Sequence, residues 1–176
     1  MRDRRAFDFV IGNAGVMAAP FGHTADGFET QFGTNHLGHF VFVNRVAPLV
    51  RVGGRVVMVA SSGHRFANVD LADPNFERTT YDPWMAYGRS KTANVLFAVE
   101  FDRRHKARGV RATALHPVAV ARADDIGGRY CENCHVSEVT AAPLSDISEG
   151  ARPYALDSAN AKALWAKSEE MVGERF

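Results

Sequence analysis

At 176 residues, with 46% hydrophobic and 23% charged side chains, the chain has the make-up of one soluble globular domain, able to bury roughly two thirds of its unfolded surface. A formal net charge of +1 argues against a nucleic-acid groove or an anionic membrane as partner. No apolar run approaches the ~18 residues of a membrane span, and no apolar signal core follows the basic opening, so the cytoplasm is the default expectation.

Phe7-Asp8-Phe9-Val10-Ile11, stopped by Gly12-Asn13-Ala14-Gly15, predicts a buried strand ending in a tight turn. Thr24 is the expected N-cap of a long helix. Its apolar stripe runs from Phe28 through Phe32, His36, Phe40 and Val43 to Val50, and Gly53-Gly54 should end it. The β-branched run Arg55–Ala60 predicts a strand covered on both faces. Residues 63–83, polar and containing Pro74 and Pro83, read as an irregular surface excursion.

A second helix is predicted from Trp84 to about Arg108, with Ala86, Ala93, Leu96, Phe97 and Phe101 near one side. Arg103, Arg104, Lys106 and Arg108 suit its negative terminus, and Gly109 ends it. Val110–His116 is the third strand. This alternation predicts an α/β fold, a partial Rossmann-like parallel sheet in one domain spanning residues 1–176. Within it we expect a core at 7–118, an irregular stretch at 119–152 and a C-terminal helix within 153–176, capped by Asp157 or Ser158 and ended by Gly173. The connection to Tyr130 looks too short for a parallel crossover, so a strand there is not expected to extend the parallel sheet.

Ligands bind open α/β sheets beyond the carboxyl ends of the strands, so the turns at Gly12–Gly15, Ser61-Ser62 and His116-Pro117 should rim one crevice. Tyr87 and Lys91 lie one helical turn apart and share a face that can return beside Ser62. Oxidising an alcohol requires a base for the hydroxyl proton, and a phenol of pKa about 10 is a poor one. An ammonium about 4 Å away contributes at most about 4 kcal/mol at an effective dielectric near 20, enough to bring a tyrosine into range. A serine can hold the substrate oxygen, and Asn35 can organise water behind the lysine. Singly, each residue has an ordinary reading as a helix surface or a turn; order, spacing and strand-end placement together point to chemistry.

Cys131 and Cys134, followed by His135, lack the further ligands of a zinc site, and no strand-to-helix setting suggests a redox pair. No metal is expected.

With these motifs in hand, the chain resembles the short-chain dehydrogenase/reductases, particularly their retinol dehydrogenase-like branch. Asn13-Ala14-Gly15 is similar to the end of the family's Asn-Asn-Ala-Gly turn, and Thr34-Asn35-His36-Leu37-Gly38-His39-Phe40 to the branch's helix motif. The intervals Asn35 to Ser62 and Ser62 to Tyr87 fit the branch, Leu115-His116-Pro117 resembles the segment beside the nicotinamide, and residues 153–176 resemble its last helix. The resemblance implies Tyr87 as acid/base, Ser62 orienting the substrate, and Lys91 tuning Tyr87 and holding the nicotinamide ribose, with Asn35 completing a proton relay. It places Asn13, Ala14 and Gly15 on the adenosine side, and implies NAD or NADP as cofactor with a small-molecule alcohol or carbonyl compound as substrate.

The chain also departs from that pattern. It opens at what would be the family's fourth strand, without the glycine-rich turn under the pyrophosphate, an expected shortfall of roughly 80 residues at about 30 per strand–helix–strand unit. Gly12 replaces an Asn, Val118 replaces a Gly, and residues 119–127 run almost directly to Gly127-Gly128-Arg129-Tyr130, omitting the substrate lid. Impaired turnover is therefore expected, with a non-catalytic association domain as the alternative. Phe7–Ile11 should form an exposed apolar edge, making the chain a homo-oligomer or only marginally stable.

Overall fold

The computed structural model describes residues 6–117, 127–133, 135–146 and 149–176; the expectations about Val118 and Cys134 lie outside them. Among these residues five strands form one sheet in the order β1 (Phe7–Gly12), β2 (Val50–Val59), β3 (Arg111–Leu115), β4 (Tyr130–Glu132) and β5 (His135–Val136). The first four run parallel and β5 is antiparallel, so the α/β expectation holds. Between β1 and β2 the chain passes through α1 (Thr30–Phe32), a π turn (Gly33–Leu37) and α2 (Gly38–Val46); between β2 and β3 it passes through α3 (Pro83–His105). The chain closes with α4 (Pro153–Leu156) and α5 (Ser158–Val172).

Four features differ from the sequence-based expectation. The first helix starts at Thr30, capped by the buried carboxylate of Glu29, which accepts from the Gln31 and Phe32 N–H groups at 2.8 and 2.7 Å. Thr24 instead closes a turn, accepting from the Phe28 N–H at 3.2 Å. That helix ends at Val46, before Pro48, and β2 begins already at Val50, because Gly53 (φ +82°) and the bare Gly54 let the chain bulge while remaining paired. The excursion is not simply solvated: Asp73 is buried and accepts from the N–H groups of Glu77, Arg78 and Thr79.

The fourth correction concerns β4, which does extend the sheet in parallel, pairing Ala114 with Tyr130 and Leu115 with Cys131. Leu115 and Tyr130 are separated by the 14 residues 116–129, above the roughly dozen a crossover needs. The strand ends at Leu115, one residue before the expected His116, and the connection is correspondingly longer than expected.

Among the described residues, α2, α3 and α5 pack on one face of the sheet. Val10, Val56, Met58, Ala112, Ala114 and Tyr130 point into them and meet Phe40, Val43, Phe97, Phe101 and Trp165. Phe97 and the α5 indole of Trp165 stack 5.6 Å apart with their planes 5° from parallel, and Phe40 meets Trp165 edge-on at 5.0 Å. α5 starts on Asp157, whose carboxylate accepts from the Asn160 N–H at 2.6 Å, and stops at left-handed Gly173. On the opposite face Val57, Leu115 and Cys131 form a small cluster, whereas Phe7, Phe9 and Ile11 are 42%, 43% and 58% exposed on the edge strand β1. Cys131 is a free buried thiol, pushed up by burial.

A buried ion pair fastens β4 to the turn after β2. The Arg65 guanidinium donates to Glu132 and, at 2.8 Å, to the Gly150 carbonyl, while the Gly150 N–H donates to Glu132 at 2.7 Å. Among the described residues no helix is long and apolar enough to cross a membrane.

Because Glu132→Ala leaves Arg65 buried without its carboxylate, it is expected to lower unfolding free energy by about 3–5 kcal/mol. Urea denaturation monitored by Trp fluorescence checks this; a loss under about 1 kcal/mol would contradict the arrangement.

Candidate functional site

The carboxyl ends of β1, β2 and β3 lie side by side, so the segments that follow them share one rim. Asn13, Ala14 and Gly15 are exposed after β1, Ser61 and Ser62 follow β2, and Pro117 is exposed after β3. Asn35 sits in the π turn, a widened helical turn of the kind often found at functional sites. Its buried amide takes the backbone of Val16 from both sides: Oδ1 accepts from the N–H at 2.8 Å and Nδ2 donates to the carbonyl at 2.9 Å. Nδ2 also donates to Ser90 Oγ at 2.9 Å, and Ser90 donates to the Tyr87 carbonyl at 2.7 Å. One amide thus joins the loop after β1 to α3.

α3 begins on Asp82, whose carboxylate accepts from the Met85 N–H at 2.7 Å, with Pro83 at the first helical position. Tyr87 and Lys91 follow on one face. Lys91 Nζ donates to the Val59 carbonyl at the end of β2 (2.9 Å) and lies 5.6 Å from the centroid of the Tyr87 ring. Burial lowers the Lys91 pKa to about 8. Gly15 is bare for a reason: a Cβ there would stand 2.8 Å from Asn35 Oδ1 and 3.7 Å from Lys91 Nζ.

Ser62 opens a 3-10 turn (Ser62–Arg65) and is half-buried; Ser61 caps that turn, accepting from the Gly63 N–H at 3.1 Å. The distinction matters, since Ser61 is occupied while the Ser62 hydroxyl has no hydrogen bond among the described residues. Gly63 is the direct contact to Tyr87: a Cβ on it would stand 2.8 Å from Cε1 and 2.9 Å from Cδ1 of the ring. Gly88 allows the same approach, a Cβ there meeting the Gly63 carbonyl at 2.9 Å. The structure therefore brings Asn35, Tyr87, Lys91 and Gly15 into one network and sets Ser62 next to the glycine on which Tyr87 rests. Asn13, Ala14 and Pro117 stand exposed on the same rim.

Sequence reasoning missed Ser90, Gly63 and Gly88. Ser90 was visible as the residue one turn after Tyr87, but a glycine that seats a ring from another element leaves no local signal. Two buried neutral histidines stand behind the site: His64, and His36, which the apolar stripe already turned inward. His64 donates through Nδ1 to the Ser61 carbonyl (2.8 Å) and accepts at Nε2 from the Arg152 N–H (3.3 Å). His36 donates through Nε2 to Ser168 Oγ (2.8 Å), because that hydroxyl gives its own proton to the Leu164 carbonyl. Burial lowers the first to about 4 and the second to about 3.

Human retinol dehydrogenase 13 is 32% identical over 208 aligned residues, covering 98% of this chain and 62% of that protein. The chain therefore spans about three fifths of this curated relative, and since 208 positions exceed its 176 residues, the relative carries inserted segments as well. The crystal structure of an uncharacterised protein from Mycobacterium paratuberculosis superposes with a TM-score of 0.82 at 34% identity, over 98% of this chain and 69% of that one. Landomycin C-6 ketoreductase LanV with bound NADP and rabelomycin shares the fold, with a TM-score of 0.53 at 21% identity over 73% of this chain and 60% of that one. No family model matches the chain.

Gly63→Ala is expected to destabilise the fold by about 1–3 kcal/mol through displacement of the Tyr87 ring, readable in urea titrations. The two histidines set an acid limit. Above pH 6.5 neither folded nor unfolded chain protonates them; as pH falls toward 4 and 3 the unfolded chain takes up protons that the folded one refuses. Tm should drop steadily as pH falls below 6.5, and a Tm that stays level from pH 7 down to pH 4.5 would refute the burial of two neutral histidines.

Proposed function

The chain belongs to the short-chain dehydrogenase/reductase family, and from that premise we propose that it acts in hydride transfer between a nicotinamide cofactor and an alcohol or carbonyl substrate. The observation that carries the proposal is the Tyr87–Lys91 face of α3, held at the carboxyl end of β2 by the bond from Lys91 to the Val59 carbonyl. In carbonyl reduction the Tyr87 phenol gives a proton to the substrate oxygen, and in alcohol oxidation it takes one. Ser62, with its hydroxyl uncommitted, holds that oxygen in place. Lys91 keeps protons beyond the one given to Val59, and these face Gly15, where no side chain intervenes. Asn35 acts chiefly by position, since both its amide hydrogens are already used; its Oδ1 and Lys91 Nζ flank the same point beside Gly15, where water would carry the relay.

These residues suit the ribose and nicotinamide half of NAD or NADP: Lys91 would hold the ribose, Asn13, Ala14 and Gly15 would line the adenosine side, and Pro117 would flank the ring. When bound, the nicotinamide supplies or accepts the hydride at the carbinol carbon. No glycine-rich diphosphate cradle stands in this sequence. A cytoplasmic setting fits the free thiol of Cys131.

A second reading, association, is favoured by the exposed edge of β1, where Phe7, Phe9 and Ile11 accompany unpaired backbone groups. In this reading the chain is a homo-oligomer joined at that edge, with or without turnover.

Calorimetric titration with NADPH and NADH, followed by carbonyl-dependent oxidation of whichever binds, tests the first reading. Tyr87→Phe is expected to lower turnover by about 10²–10⁴-fold while leaving cofactor affinity and sedimentation mass unchanged. Ile11→Lys should change mass alone. Since Lys91 is charged at pH 7 and neutralises near 8, turnover should decline above pH 8. A folded protein giving no heat with either cofactor would leave the association reading.

A further inference from the structure

We propose that His64 is a positioning residue for the Ser62 hydroxyl, an inference that rests on the oxidoreductase reading of the same site. Its imidazole is fully buried, and its two nitrogens bind two different segments of the chain. Nδ1–H donates to the Ser61 carbonyl at 2.8 Å, in the residue that caps the turn carrying Ser62. Nε2 accepts from the Arg152 N–H at 3.3 Å, 88 residues away in sequence. The ring does both only while neutral, because a second ring proton would confront the Arg152 N–H. Burial keeps it neutral, bringing its pKa down to about 4.

The turn that this ring holds serves both reacting groups. Ser62 opens it, and the Tyr87 ring rests on Gly63, where a Cβ would stand 2.8 Å from Cε1. The Gly63 carbonyl would meet a Cβ on Gly88 at 2.9 Å, so a shift of the turn passes directly to α3. The Ser62 hydroxyl has no hydrogen bond of its own among the described residues, so its placement comes from the backbone of the turn. The far anchor is itself fixed. Tyr154 donates to the His64 carbonyl at 2.8 Å, the Gly150 N–H donates to Glu132 at 2.7 Å, and the Gly150 carbonyl accepts from Arg65 at 2.8 Å. The Tyr130 ring, its centroid 4.4 Å from that of His64, closes the space in which the imidazole could turn. The segment 150–154 thus reaches the reacting atoms through one ring, which acts on Ser62 by way of Ser61 and not by contact with substrate.

Three substitutions separate the two bonds from the volume of the ring. His64→Asn puts an amide N–H in the place of Nδ1 and keeps the bond to Ser61. His64→Gln reaches the place of Nε2 and keeps the bond to Arg152, and His64→Ala keeps neither. In the active protein, kcat is expected to fall about 10–100-fold in the Gln and Ala variants, with KM changed less than about threefold and the Asn variant close to the parent. Native-state hydrogen exchange followed by NMR needs no turnover. The amides of residues 63 and 64 should exchange at least about tenfold faster in the Gln and Ala variants than in the Asn variant, while in His64→Gln the amides of α5 keep their rates. An Asn variant no better than Ala, or a Gln variant as good as Asn, would overturn the proposal, since the bond to Ser61 would then not matter. Faster exchange at every amide alike would also overturn it, by showing a role in global stability alone. The expected order of exchange rates in a protein with no turnover would support the positioning of the turn and count against the oxidoreductase reading alone.

Discussion

The side-chain amide of Asn35 is the constraint on which the candidate site depends. It is buried, and it satisfies both the N–H and the carbonyl of Val16 while donating to Ser90. Three separately folded pieces, the loop after β1, the π turn and α3, are thereby held at fixed spacing. A backbone loop that leaves a sheet end would otherwise look to water for its hydrogen bonds. Routing those bonds through one amide converts a mobile connection into a wall of the crevice. The π turn contributes by displacing Asn35 from a regular helical register, with the Gly38 N–H reaching back to the Gly33 carbonyl. The His39 Nδ1–H completes the arrangement by donating to the Asn35 carbonyl at 2.8 Å.

Lys91 faces two opposed demands. Burial disfavours its charge and brings its pKa to about 8, while the Val59 carbonyl provides one favourable partner at the end of β2. The ammonium is thus positioned by the sheet rather than by a carboxylate. Among the described residues no carboxylate pairs with it. Glycines at 15, 63 and 88 do the complementary steric work: each removes a side chain where two elements come closer than a Cβ would permit.

The two faces of the sheet differ sharply. On one, α2, α3 and α5 enclose aromatic residues from three elements, tied by the contact of His36 with Ser168. On the other, the cover thins from Val57 and Leu115 toward β1, where alternate residues Phe7, Phe9 and Ile11 stand bare. Relatives that this chain matches are longer, and inserted segments separate the aligned parts. The association reading and the oxidoreductase reading both begin from that uncovered edge and the crevice beside it.

The sequence by itself determined the alternation of strands and helices, the face shared by Tyr87 and Lys91, and the stop at Gly173, and it narrowed the last helix's cap to Asp157 or Ser158, because each depends on periodicity or chemistry within a few residues. It also carried the motif spacing from Asn35 to Lys91. Other features were legible only in three dimensions. The Glu29 cap was hidden because Thr24 has the more favoured chemistry, and the choice between them turns on where Asn75 and Tyr81, some fifty residues on, meet Glu29. β4 joins the sheet in parallel because Arg65 and Gly150 hold Glu132, contacts made across 67 and 18 residues. The apolar concavity lined by residues 66, 84, 85 and 144 joins segments that no local pattern groups. Local chemistry chooses the elements; desolvation and close approach between distant segments decide how they form a site.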